Sequence, residues 1–483
     1  MKMNECSLSR RLPLVAAASL SIVLALSACG GGHSYSNTAG GTTDFTRTVF
    51  VGDSLTAGYQ NGSLLDTQQP HGYANLVATA ANFKMTLPLI APPGAPSVLE
   101  LQSINPLVIV SAPGTTSGRD DITITPSDVA VPGAFVYDVL NTYSLPDPTT
   151  GEEEITALVL GYPGLLTGVP NSQYSLALSE NPTTIFAWIG NNDALVADEA
   201  GSPDAMTPVA PPAGQTCATS PLNFQCEYTQ TIGALAQTKT TLYVANVPDV
   251  TAVPYLVSGL EVIEQVVAES GLPEPEVEAI LGLLPTDYIN LTTYATIPSI
   301  VACAEAGAPC PLTSGVLHAA DIITIQQTVD AYNQIIEGVA AAVGAHVVDI
   351  NTVFANGYAN GVTVNGYTGT YAFLGGLFGL DGIHPTNTGY GVLANAFISE
   401  INSAEGANIA PVSLTSIAAT DPLWPPNFPA SSGAQQPARR LNGRPVGKLP
   451  TYGEAKIISD AVHKSLSASA RARIQKVNPK MLQ

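Results

Sequence analysis

An α/β fold on a parallel sheet of about five strands, with long insertions, is predicted by three features of this chain. Five apolar runs end near Gly52, Ala130, Gly190, Asn246 and Ile350. Most are separated by segments with helical periodicity, the alternation expected when helices cross over between parallel strands. Reactive side chains in turn-forming sequence follow two of these runs and recur at Asp381 to His384. In open α/β sheets, ligands and chemistry collect in the crevice at the carboxyl ends of strands. The 483 residues would allow about three domains by length alone. The absence of an internal repeat and the spread of strand runs argue instead for one elaborated domain, residues 45–402.

The first run is Thr48-Val49-Phe50-Val51, followed at once by Gly52-Asp53-Ser54-Leu55. Residues Thr86 to Asp128 read as a β-rich excursion with Pro and Gly turns. The second run leads into Val131-Pro132-Gly133-Ala134 and the third into Gly190-Asn191-Asn192-Asp193. After the fourth, Pro254 to Pro311 carries apolar patches at helical spacing, among them Leu260, Ile263, Val266, Ile280 and Leu283. The fifth run, Val347-Val348-Asp349-Ile350, precedes Gly357 to Thr370, which reads as a turn-rich hairpin without a carboxylate and so offers little to calcium. Asp381-Gly382-Ile383-His384-Pro385 then reads as a loop before a helical run that starts near Asn387.

These pieces suit acyl transfer. A serine hydroxyl becomes nucleophilic when a base takes its proton, and a third group must hold that base in the right tautomer. Ser54 is the candidate nucleophile, His384 the base and Asp381 the orienting carboxylate. Three-residue spacing lets both side chains emerge from one turn, and Pro385 fixes the backbone after the imidazole. A tetrahedral intermediate needs donors aimed at its oxyanion. Asn192 offers a side-chain amide, Gly133 a backbone N–H that can approach closely, and Ser54 its own N–H. The plainer readings are a strand-end turn for Gly-Asp-Ser, a common Pro-Gly turn at Gly133, and a capping role for Asn192, which also competes with Asn191.

His384 emerges by elimination from six histidines: His33, His71, His318, His346, His384 and His463. His33 lies in the N-terminal tether and His346 opens a strand. His71 and His318 lack an aspartate at the same offset. Asp460 and His463 repeat the spacing in a helical run, where an ion pair along one face is expected.

The four blocks resemble those of the SGNH hydrolases of the GDSL esterase and lipase family, in family order. Gly52-Asp53-Ser54-Leu55 is similar to the first block, Gly133 to the oxyanion glycine, Gly190-x-Asn192-Asp193 to the third block and Asp381-x-x-His384 to the last. The resemblance covers roughly residues 45 to 402. It implies a three-layer α/β/α, flavodoxin-like fold, ester hydrolysis without a cofactor or metal, and the roles given above. It leaves open the ester, whether lipid or small molecule. An acyltransferase using the same triad and a catalytically silent surface-binding lipoprotein remain alternatives. An α/β-hydrolase fits less well, because Gly52-Asp53-Ser54-Leu55-Thr56 lacks the second glycine of the nucleophile elbow. The segment 254–311 is either a cap over an acyl-binding groove or packing on the sheet.

The amino end reads as an export signal. Lys2, Arg10 and Arg11 precede an apolar run from Leu14 to Leu26 that is short for a membrane span. Leu26-Ser27-Ala28-Cys29 resembles a bacterial lipobox, which implies cleavage after residue 28 and lipidation of Cys29. Residues 29–44 then form a flexible tether, and the destination is the outer membrane, the cell surface or the periplasm. With Cys6 removed and Cys29 lipidated, Cys217, Cys226, Cys303 and Cys310 remain. Three connectivities are open to them, and sequence proximity favours Cys217–Cys226 with Cys303–Cys310. Zinc is the rival, without its usual ligand spacing.

Charge is unevenly divided. Residues 30–438 hold four Lys and Arg against 35 Asp and Glu, whereas residues 439–483 hold ten against two. Such an acidic body disfavours nucleic acid and anionic lipid faces, since binding phosphates needs clustered cations. Residues 403–450 read as a linker whose stretch from Asp421 to Pro450 is dense in proline. In 451–483, Ile458, Val462, Leu466, Ala470, Ile474 and Val477 recur at helical spacing, predicting a basic amphipathic helix that docks on the acidic body or on anionic lipid.

Overall fold

A computed structural model describes residues 41–115, 118–307, 310–312, 314–428, 439–441 and 444–482. The export signal, Cys29 and most of the tether lie outside the described residues. The chain is packed from slightly before residue 45, since Thr43 is buried and its hydroxyl lies 3.0 Å from the Tyr243 hydroxyl.

The central sheet is parallel and consists of β1 (Thr48–Gly52), β2 (Thr184–Trp188), β3 (Thr241–Ala245) and β4 (His346–Val348), hydrogen-bonded in that order. These are four of the five predicted runs. The fifth, residues 127–131, runs along the free edge of β1 in a parallel sense: Val129 N–H donates to Phe50 O at 2.9 Å and Val131 N–H to Gly52 O at 3.1 Å. With that segment counted second, the spatial order is 2-1-3-4-5, the flavodoxin-like order, with its switch point between β1 and β2.

Strand register and aromatic packing reinforce each other. Phe50, Phe186 and Tyr243 are neighbours in the ladders, and their rings stack at 4.7 and 4.8 Å. Helices cover both faces in a three-layer α/β/α arrangement. On one, α1 (Tyr73–Ala81) packs on α5 (Asn387–Glu405), with Tyr73 and Phe397 rings 4.3 Å apart. On the other, α3 (Phe224–Ala236) packs on α4 (Ala319–Val343), with Phe224 and Tyr332 stacked at 3.9 Å. Between them in the chain, α2 (Asn191–Ala200) starts directly beyond β2.

The excursions form small structures. Leu99–Ile104 pairs with Leu107–Ser111, and Val362–Val364 with Tyr367–Gly369. Residues 254–311 supply helices and two short strands of a three-stranded sheet. Disulfides join Cys217 to Cys226 and Cys303 to Cys310, the chemistry of an oxidising compartment. Among the described residues, no helix is long and apolar enough to cross a membrane.

The C-terminal region differs from the linker and single helix expected. Ile409, Ala418, Leu423 and Trp424 are buried, and Asp421 accepts hydrogen bonds from Thr388 N and Oγ1 at 2.8 and 2.7 Å. Proline stops a helix but does not stop neighbouring apolar side chains from packing. The tail is two helices, α6 (Tyr452–Lys464) and α7 (Ala468–Val477). Ser467 separates them by capping α7, its hydroxyl accepting from Ala470 N at 3.0 Å. Their apolar face docks on the body, with Ile458, Val462, Leu466, Ala470 and Ile474 buried. The expected Asp460–His463 pair is absent: Asp460 takes Lys456 at 3.0 Å on the exposed side, while His463 turns inward toward Thr292.

Candidate active site

The turn after β1 cannot carry a side chain at its first position. A β-carbon on Gly52 would lie 2.5 Å from Trp188 O and 2.4 Å from Thr56 Oγ1. With Gly52 lodged there, the chain reverses and delivers Ser54 to the switch-point crevice. Asp53, fully buried, braces this turn by accepting from Leu55 N at 3.1 Å and from Asn191 Nδ2 at 2.8 Å. Burial pushes the Asp53 carboxyl up to about 7, against the pull of those donors.

Ser54 Oγ lies 2.8 Å from His384 Nε2, and His384 Nδ1 lies 3.1 Å from Asp381 Oδ2. Asp381 has no solvent exposure. Its Oδ1 accepts from Ile383 N and His384 N, each at 2.9 Å, and its Oδ2 accepts from Gly62 N at 2.7 Å. Burial alone would raise this carboxyl. The charge of His384 and the hydrogen bonds from His384 and Ile383 outweigh burial and hold it below the usual carboxylate range. An ionised carboxylate on Nδ1 places the imidazole proton there and leaves Nε2 free to accept from the serine hydroxyl.

Gly190, at φ 114°, turns the chain from β2 into α2. The two asparagines that follow diverge. Asn191 points back to Asp53, whereas Asn192 lines the cavity in front of Ser54 and gives one N–H to Ala134 O at 2.9 Å, which leaves its second amide hydrogen. Asp193 braces the neighbouring loop, accepting from Val136 N at 3.0 Å. Gly133, at φ 79°, borders the same cavity. All five residues selected from sequence, Ser54, Gly133, Asn192, Asp381 and His384, therefore meet around one space.

Several contributors escaped the sequence reading. The Tyr59 ring lies 4.7 Å from that of His384 and closes one side. Asn61 Oδ1 accepts from Leu380 N at 2.8 Å, tying the turn after Ser54 to the loop that holds Asp381. The dipeptide Asn61-Gly62 is a turn signal that could have marked the spot. Glu199 and Leu195 also reach the cavity, and so do Val462, Ser465, Leu466, Ser467 and Ala470 of the tail. Among the described residues, none of 254–311 lines the cavity. The cover over the site is C-terminal, and Tyr255 instead supports the loop from behind, its N–H donating to Gly382 O at 2.9 Å.

Two of the other described histidines have carboxylate partners, and His33 lies outside the described residues. His346 meets Glu405 at 3.0 Å and His318 meets Asp287 at 3.1 Å. Burial pushes the His463 imidazole down to about 4, with Arg471 adding to the effect.

No protein-family model matches this chain, and no curated protein matches it. Among solved structures, LAE5, an alpha/beta hydrolase enzyme from the metagenome of Lake Arreo, Spain, aligns at 12% identity over 74% of this chain and 95% of that one, with a TM-score of 0.29.

Proposed function

We propose that this protein is a serine hydrolase of carboxylic esters, related to the GDSL esterases and lipases, in which Ser54 is the nucleophile. The observation that carries the reading is the continuous chain from Ser54 Oγ through His384 Nε2 and Nδ1 to Asp381, with contacts of 2.8 and 3.1 Å. In the proposed cycle Ser54 Oγ attacks the ester carbonyl carbon while its proton passes to His384 Nε2. The tetrahedral oxyanion is received by Asn192 Nδ2 and the N–H groups of Gly133 and Ser54. Collapse breaks the carbon–oxygen bond, and the alcohol leaves with the proton from His384. Water then gives a proton to His384, attacks the acyl-Ser54 carbonyl and releases the acid, restoring the hydroxyl. Asp381 remains ionised throughout and stabilises the imidazolium formed in each half.

Export and lipid attachment at Cys29 belong to the same proposal, supported by the lipobox-like sequence and by the disulfides. Intact mass of the mature chain purified from membranes would read the lipid directly. The activity is tested with p-nitrophenyl acetate. The native chain should hydrolyse it and Ser54→Ala should not; equal rates from the two would end the proposal.

A further inference from the structure

Helices α6 and α7 stand between solvent and Ser54. Leu466 and the turn Ser465–Ser467 line the cavity, and Ser54 and His384 are each only 7% exposed. The Ser465 carbonyl lies 2.8 Å from where a β-carbon on Gly133 would stand, so the interhelical turn packs against the residue whose N–H the proposed reaction needs. The turn takes up part of the space in front of Ser54 that a large ester would need.

The cover is also chemically unlike what it covers. Lys456, Lys464, Lys476 and Lys480 are exposed on α6, α7 and the residues just beyond, while Ile458, Leu466 and Ile474 are buried beneath. The body from residue 30 to 438 has four Lys and Arg in all. Beside the cover lies an apolar margin. Of the ten exposed large hydrophobic side chains among the described residues, seven fall in three short segments, 122–124, 137–145 and 166–169. Arg119 ties the first segment to the stretch leading into the third by donating to Ile124 O at 2.8 Å and Tyr162 O at 3.1 Å, and Ser144 N of the second donates to Asn171 O, just past the third, at 2.9 Å. The segment holding Tyr137, Tyr143 and Leu145 starts just past Phe135, over whose ring Arg473 sits at 5.0 Å. The apolar margin and the basic helices therefore adjoin.

We propose that α6–α7 is an exchangeable cover whose alternative partner is an anionic lipid surface. The helices lay their apolar face into that surface, their lysines meet its headgroups, the apolar segments enter beside them, and Ser54 is uncovered at the interface. The consequence for catalysis rests on the ester-hydrolase reading; the exchange itself does not.

The test adds the full chain to phosphatidylcholine vesicles with or without phosphatidylglycerol. An N-terminal lipid would hold the chain on both kinds alike, so a difference between them reports headgroup charge. The distance between nitroxides on Ala472→Cys in α7 and Thr229→Cys in α3, both exposed positions, is followed together with labelling of Ser54 by a fluorophosphonate. On phosphatidylglycerol vesicles the docked distance should give way to a longer one, and labelling should rise by about tenfold or more, the response of a cover going from mostly closed to mostly open. Each basic residue at an anionic surface is worth about fivefold in partitioning, so the triple variant Lys464→Glu, Lys476→Glu, Lys480→Glu should partition about a hundredfold more weakly and keep the docked distance. A docked distance that persists on anionic vesicles, or a triple variant that responds like the native chain, overturns the proposal. Loss of the docked distance with no labelling of Ser54 would uphold the cover and sink the ester-hydrolase reading.

Discussion

Replacing Asp381 by Asn tests the account where its geometry is most specific. The carboxylate accepts four hydrogen bonds, from Ile383 N, His384 N, Gly62 N and the His384 ring. Asn offers one oxygen and one NH2 group. With the amide nitrogen at the Oδ1 position, two buried backbone donors lose their acceptor, at about 1–3 kcal/mol each. With the nitrogen at the Oδ2 position, it donates to Nδ1, the proton moves to Nε2, and the imidazole can no longer accept from Ser54. In both orientations the charge that stabilises the imidazolium is gone. Loss of this role in a comparable triad lowers kcat about 10⁴-fold, and a fall of that order is expected here with little change in KM. Steady-state hydrolysis of p-nitrophenyl acetate, with circular dichroism to show a folded variant, provides the assay. A folded Asp381→Asn protein within about tenfold of the native rate would refute the role of the carboxylate, because the missing charge should cost far more. The same group makes stability fall in acid. Its carboxyl is held below its ordinary value, so its contribution is present above the unfolded pKa and disappears as pH drops through the folded one.

Asn192→Ala should lower kcat about 10²- to 10³-fold at nearly constant KM, the signature of a lost oxyanion donor. Asn191→Ala should act mainly on stability, lowering Tm through the lost contact to buried Asp53, at about 1–3 kcal/mol; a larger kcat effect at Asn191 than at Asn192 would reverse the assignment. Burial pushes Glu199 up to about 8. A carboxyl raised on folding favours the folded state while protonated, so stability should decline as pH rises from the unfolded value toward 8. Glu152, Asp193 and Glu227 are raised by burial as well, so Glu199→Gln should flatten only part of the slope of Tm against pH. An unchanged slope would show that Glu199 keeps its ordinary pKa.

The parallel sheet was legible because each strand is a short apolar run that ends in turn-forming residues. The weakest of the five, 127–131, lies at an edge and makes a single bridge beside β1. Ser54, Asp381 and His384 were legible because their chemistry is local to two tight turns. The braces were not: Asn61 and Gly62 reach the Asp381 loop across more than 300 residues, and no periodicity records such a contact. Amphipathic spacing foretold that the tail would bury one face. It could not foretell where, since the partner surface is assembled from Gly133, Asn192 and His384, far apart in sequence. Leu423-Trp424, set among prolines, read as linker because helix-breaking and burial are independent properties.

In the proposed reaction His384 activates Ser54 for attack on an acyl group. Exposing the folded chain to a fluorophosphonate until labelling is complete, then mapping the adduct by peptide mass, measures this at the reacting atom and does not depend on how fast a cover opens. A single adduct on Ser54, lost in His384→Ala, is expected. A native chain that stays unlabelled, or one labelled at Ser54 equally well without His384, would contradict it.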